Sequence, residues 1–147
     1  MIAFNYESAA LPVREDLKKS YREFWNTLAQ AGTWWDGPER VAIAQESRNA
    51  VICELCQRRK EALSPSHVAG EHSTGALLGL PASCLSDAAI DAVHRVVTDQ
   101  SRITQSYVDS LNAEGITHEQ YVELVGVVVT CFSIDEFNRA LGLPLEP

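Results

Sequence analysis

The sequence predicts an all-α bundle of five to six helices forming a single domain over residues 1–147, and three observations carry that expectation. Apolar residues recur at helical spacing along most of the chain. Helix-start signals stand ahead of several of those stripes: an acid before a proline, or a hydroxyl three residues before a glutamine. No strand–turn–strand pattern is present, and nothing repeats at a fixed period. At 46% hydrophobic and 22% charged, the composition suits a globular domain and is too apolar for a disordered chain.

The first segment, 1–35, holds one helix after Pro12. Leu17, Tyr21, Phe24, Trp25 and Leu28 form its apolar stripe. Lys18, Lys19, Arg22 and Glu23 form the face expected to meet solvent, and Gly32 ends the segment. The second segment, 36–60, opens with Asp36 as a cap and Pro38 in the first turn, where a missing N–H costs nothing. Val41, Ile43, Ala44, Val51, Ile52 and Leu55 carry one helix toward Lys60. Asn49, a weak helix former, is the expected point of any break.

Residues 61–85 contain Pro65, Gly70, Gly75, Gly79 and Pro81 and read as a loop with at most a short helical turn. A loop of this length in a compact domain is more often functional than filler. The last segment, 86–147, carries three helices. Ser86 caps the first, whose stripe is Ala89, Ile90, Val93, Val96 and Val97; Ile103, Tyr107, Val108 and Leu111 mark the second, which closes at Gly115. The third begins with a Thr117–Gln120 capping box and an Ile116–Tyr121 staple, and stops at Gly142 before Pro144. Its middle, around Val127 to Val129, is apolar on nearly all sides. It is therefore expected at the centre of the bundle or against another copy, which predicts a homo-oligomer.

Charge narrows the partners. Twelve basic against twenty acidic side chains give a net charge of −8, which argues against a nucleic-acid binder, since such a protein needs basic clusters to replace counterions on phosphates. Neither nucleic acid nor an anionic membrane is expected as a partner. The first residues lack the basic and apolar regions of a signal peptide, and the stretch 124–132 is about half the length of a membrane span. A cytoplasmic protein is the expectation.

Four cysteines are too few for a disulfide scaffold, so their arrangement matters. Cys53 and Cys56 stand three apart in a helical pattern, which puts both sulfurs on one face. Arg58, Arg59 and Lys60 follow at once, and nearby cations favour thiolate. A redox dithiol fits this pattern; buried cysteines used as core, or a metal site, are the alternatives. With His67 and His72 the pair gives C-x2-C-x10-H-x4-H, near a zinc-finger spacing but short in the middle. Cys84 and Cys131 have no such neighbours and are expected to be bystander and core. Glu46 lies seven residues before Cys53, close in angle but roughly 10 Å away along a straight helix. Proton exchange between them needs a bend near Asn49, a water, or a histidine from another helix. His94 or His72 can serve, and His94 is the candidate relay base. His118 reads as a surface residue, and Trp34–Trp35 as an anchor for the helix entrance.

The segments GTWWDGPERVAIAQESRNA, CELCQRRKEALSPSHVAGEH, DAVHRVVTDQSRIT and YVELVGVVVTCFSIDEFNRALGLPLEP resemble the alkylhydroperoxidase AhpD-like, carboxymuconolactone decarboxylase superfamily, in its alkylhydroperoxidase-related branch. The resemblance implies an AhpD-like helical fold, homo-oligomeric assembly and thiol-dependent reduction of hydroperoxides. Cys56 would be peroxidatic and Cys53 resolving, with a glutamate and a histidine relaying protons. The family's histidine four residues after the second cysteine corresponds to Lys60, and its glutamate to Val41, leaving Glu39 and Glu46 as substitutes. The expected catalytic set is Cys53, Cys56, Glu46 and His94. It would use a hydroperoxide or disulfide substrate and an external thiol reductant, with no metal or other cofactor. The alternative expectation is a non-catalytic or small-molecule-binding member of the fold, with structural cysteines or a weak zinc site.

Overall fold

The computed structural model describes residues 6–73 and 83–143. Among these the chain is all-helical: α1 (Glu15–Leu28), α2 (Gly37–Val51), α3 (Glu54–Glu61), α4 (Asp87–Thr98), α5 (Gln105–Ala113) and α6 (His118–Ala140). The all-α bundle expected from periodicity is what forms. Gly75, Gly79, Pro81 and Pro144, which help to predict the loop and the final stop, lie outside the described residues.

Helices α2, α4 and α6 pack on one another as the centre of the bundle. Their shared core includes Ile43, Ala89, Val93, Leu124, Val128 and Ile134, all nearly free of solvent. A bidentate ion pair reinforces the α2–α6 contact, with Arg48 donating to both carboxylate oxygens of Asp135 at 2.9 and 3.0 Å.

The helix starts follow local chemistry. Asp36 accepts from the Glu39 N–H while Glu39 accepts from the Asp36 N–H, a full capping box that the acid–proline signal only half announces. Ser86 accepts from the Ala89 N–H, and the Thr117–Gln120 box forms as expected. Trp35 is buried and its indole N–H donates to the Gln120 carbonyl at 2.8 Å, tying the entrance of α2 to α6. At the far end of α6, Gly142 takes φ 70°, the left-handed conformation that ends a helix without a Cβ clash.

Two expectations need correction. The single helix predicted over 36–60 is two helices, because the chain leaves helical geometry at Ile52 and Cys53. Val51 and Ile52 are β-branched and solvent-exposed, so neither propensity nor burial holds the helix there. The break falls three residues beyond Asn49. Lys18, expected on the solvated side of α1, is buried instead, its ammonium held by Glu15 at 2.7 Å and Glu7 at 3.2 Å. A long aliphatic stem with two carboxylates at its tip can cover apolar surface from such a position.

No helix among the described residues is long and apolar enough to cross a membrane.

Candidate functional site

The break between α2 and α3 creates the site. Cys53 takes extended geometry, φ −75° and ψ 114°, and serves as the residue that opens α3; Cys56 follows one turn in. Both are buried. Arg102 fixes the other end of α3, donating to the carbonyls of Arg59 and Ala62, where a cation complements the free C-terminal oxygens. The dithiol therefore sits in a short helix clamped at its end rather than in the middle of a long one.

The loop after α3 then folds back over the thiols. Gly70 runs at φ 151°, and a Cβ there would lie 2.7 Å from the Arg58 guanidinium and 3.2 Å from Leu55. Only glycine suits that close crossing. It delivers His72, whose Nδ1 lies 3.7 Å from Cys53 Sγ and 3.5 Å from Cys56 Sγ. The next residue, Ser73, donates its backbone N–H to Cys53 Sγ at 3.3 Å.

From the opposite side α4 contributes His94, with Nδ1 3.4 Å from Cys56 Sγ and Nε2 3.1 Å from Glu46 Oε2 of α2. His94 and Glu46 are 0% and 1% exposed. The separation of Glu46 from the dithiol along the chain is thus spanned by a histidine from another helix. The ligating atoms of Cys53, Cys56, His72 and His94 all lie within 4.8 Å of one another. The His72 and His94 rings also touch, with centroids 4.2 Å apart.

A carboxylate supports each histidine. Asp91, one turn before His94 on α4, sits 2.9 Å from His72 Nε2 and also accepts from Arg59, Arg95 and the Tyr107 hydroxyl. Burial acts to raise the Asp91 pKa, but His72, Tyr107, Arg59 and Arg95 outweigh it and hold the group ionised far below the usual carboxylate range. For His72, burial works against the charged form, while Asp91 and Cys53 more than compensate and raise its pKa. Burial pushes the Tyr107 hydroxyl up, and the Asp91 charge adds to that.

The two thiols are driven apart. Burial acts to raise Cys53, yet N–H groups of Ser73 and Cys56, together with His72, lower it to about 6. Burial and the neighbouring Cys53 charge push Cys56 up to about 12. Both shifts favour a Cys53 thiolate beside a Cys56 thiol at neutral pH. The basic run 58–60 plays a smaller part than its sequence position suggests. Arg58 and Lys60 are exposed, and Arg59 is committed to Asp91. The thiolate is stabilised mainly by backbone N–H groups and an imidazole.

Cys131 is buried, with its thiol raised to about 11 chiefly by burial, and Cys84 is exposed. Neither belongs to the cluster. His67, a zinc ligand by spacing alone, is exposed on the turn Pro65–His67 and is not among the converging side chains; His94 stands in its place. His118 is more than half exposed. Sequence reasoning missed Asp91 and Tyr107. The three-residue spacing of Asp91 and His94 on one helix face was the available signal.

No protein-family model, curated protein or solved structure matches this chain. What the site can do therefore rests on its own geometry. Two thiols and two imidazoles, each imidazole backed by a carboxylate, make a candidate centre for redox or metal chemistry.

A groove of about 530 Å³ leads toward it, lined by Leu55, Arg59, Glu71, His72, Asp91 and Tyr107. The groove is lined by His72 and by neither sulfur.

Proposed function

We propose that this chain is a thiol-dependent peroxidase or disulfide oxidoreductase of the AhpD-like kind, working through Cys53 and Cys56. The observation that carries the reading is the Cys56–His94–Glu46 relay, with the Cys53 thiolate beside it. A buried thiol bonded to an imidazole, itself oriented by a carboxylate, has the nucleophile–base–orienter logic of activated cysteine nucleophiles.

Cys56 passes its proton to His94 Nδ1 as its sulfur attacks the terminal peroxide oxygen. The O–O bond breaks, and the alkoxide takes the proton back from His94 to leave as alcohol. Cys56 is now a sulfenic acid. The Cys53 thiolate attacks that sulfur, closes the disulfide and expels hydroxide. Two electrons have moved from the two sulfurs to the peroxide, and an external dithiol reductant restores them by exchange. The depressed pKa of Cys53 suits a resolving thiolate that needs no base of its own.

The chain is further read as a cytoplasmic homo-oligomer. Val122 and Val129 of α6 are 67% and 51% exposed, and Val129 lines a second groove of about 480 Å³ with Val96, Ile103, Val125 and Phe132. Apolar surface grouped in this way supports burial against a further copy.

Thiol titration tests the activity. The reduced protein should lose two of its four titratable thiols on one equivalent of hydroperoxide. Cys56→Ser should abolish the loss. Survival of both thiols, or turnover unaltered in Cys56→Ser, rejects the proposal.

A further inference from the structure

We propose that the reduced protein holds a single tetrahedral zinc ion between Cys53 Sγ, Cys56 Sγ, His72 Nδ1 and His94 Nδ1. This goes beyond the dithiol chemistry and stands or falls separately from it.

The donor spacing carries the argument. With zinc–sulfur bonds near 2.3 Å and zinc–nitrogen bonds near 2.0–2.1 Å, tetrahedral angles put sulfur and nitrogen donors about 3.6 Å apart. The distances here are 3.7 Å for Cys53–His72, 3.5 Å for Cys56–His72 and 3.4 Å for Cys56–His94. All four donors fall within 4.8 Å of one another. A single ion fits that span. Two thiolates with two imidazoles also select zinc over magnesium or calcium, which take oxygen ligands.

The outer shell agrees independently. Each histidine turns Nδ1 toward the sulfurs and Nε2 toward a carboxylate, His72 to Asp91 at 2.9 Å and His94 to Glu46 at 3.1 Å. Zinc-binding histidines are held in this manner, because a carboxylate on the remote nitrogen fixes the tautomer that leaves the other lone pair free for the metal.

Both sulfurs bind as thiolates, and their two charges neutralise the dication. A disulfide between Cys53 and Cys56 removes both sulfur donors. The metal-bound and disulfide forms therefore exclude each other, and the ion shields the thiols from oxidants until it leaves.

Cobalt(II) reports on the site directly. The full chain, reduced and freed of metal with a chelator, should take up one cobalt per molecule. Its spectrum should show thiolate-to-metal charge transfer and the intense visible bands of tetrahedral coordination, and zinc should displace it. The disulfide form should take up none. Asp91→Asn, which keeps all four donors, should weaken zinc binding by roughly 10–100-fold. No cobalt uptake by the reduced wild-type chain, or the weak bands of octahedral cobalt, overturns the proposal. Cobalt uptake by a protein whose metal-free thiols ignore hydroperoxide rejects the peroxidase reading and leaves the zinc site standing. Peroxide-reactive thiols without cobalt uptake reject only the zinc site.

Discussion

Glu46 and His94 meet across the α2–α4 interface at 3.1 Å, with side chains only 2% and 0% exposed. A carboxylate buried to this degree is costly unless a partner satisfies it. Here the partner is an imidazole whose other nitrogen faces a thiol. The pair joins the bundle's core to its reactive edge, since Glu46 lies among core residues of α2 and His94 borders the dithiol.

That relay predicts a graded loss. In the peroxidase reading, His94→Ala removes the base that takes the Cys56 proton, and general-base removal typically costs about 10²–10⁴-fold in rate. Glu46→Gln preserves shape but weakens the orientation of His94, so a smaller fall, about tenfold or more, is expected. Stopped-flow measurement of sulfenate formation on reduced, metal-free protein checks both. Wild-type rates in either variant would remove that residue from the mechanism.

The split between the thiols predicts a pH profile. Cys53 is depressed to about 6, so on metal-free protein its alkylation rate should rise with pH through about 6 and level off above it. Cys56, pushed up to about 12, should be alkylated more slowly than Cys53 at neutral pH. Mass spectrometry of iodoacetamide-treated peptides separates the two sites. Equal labelling at pH 7 would contradict the arrangement, as would a Cys53 midpoint near the ordinary thiol value of 9.0.

The helices are legible in the sequence because their signals are local. Asp36, Ser86 and Thr117 each cap a start within three residues, and the stripes behind them are periodic. The break before Cys53 is not, because Val51 and Ile52 keep the apolar pattern while being exposed in three dimensions. Among the site residues, Cys53 and Cys56 announce themselves by spacing, whereas Glu46 and His94 are only candidate partners. What joins them is the α2–α4 packing, a long-range contact that periodicity does not encode. His72 depends on the path of an irregular loop, and its choice over His67 turns on a crossing at Gly70. The solvated expectation for Lys18 fails for a related reason, since Glu7 comes from the turn before α1.

Gly70 tests the loop's role. At its φ of 151°, a Cβ would come within 2.7 Å of the Arg58 guanidinium, so no side chain fits without movement. Gly70→Ala should cost about 1 kcal/mol or more in urea unfolding, as expected where a positive φ meets a Cβ. Because His72 and Ser73 follow on the same stretch of chain, the variant should also raise the Cys53 alkylation midpoint above the wild-type value. A destabilised protein with an unchanged midpoint would separate the loop's structural part from its influence on the thiolate.

The apolar face of α6 yields the last prediction. Val129 is half exposed and borders the groove formed with Val96, Val97, Ile103 and Phe132. In a monomer, Val129→Lys replaces an exposed apolar group with a charged one and should change stability by no more than about 0.5 kcal/mol. In an oligomer that buries this face, the same substitution places an unpaired charge in the interface, and truncating or mismatching such a charge costs on the order of 2–5 kcal/mol of association. Light scattering should therefore find the wild-type chain in a multimer and Val129→Lys reduced to a single copy at the same concentration. Monomeric wild-type protein would refute the assembly, and a multimer unaffected by Val129→Lys would move the interface to another face.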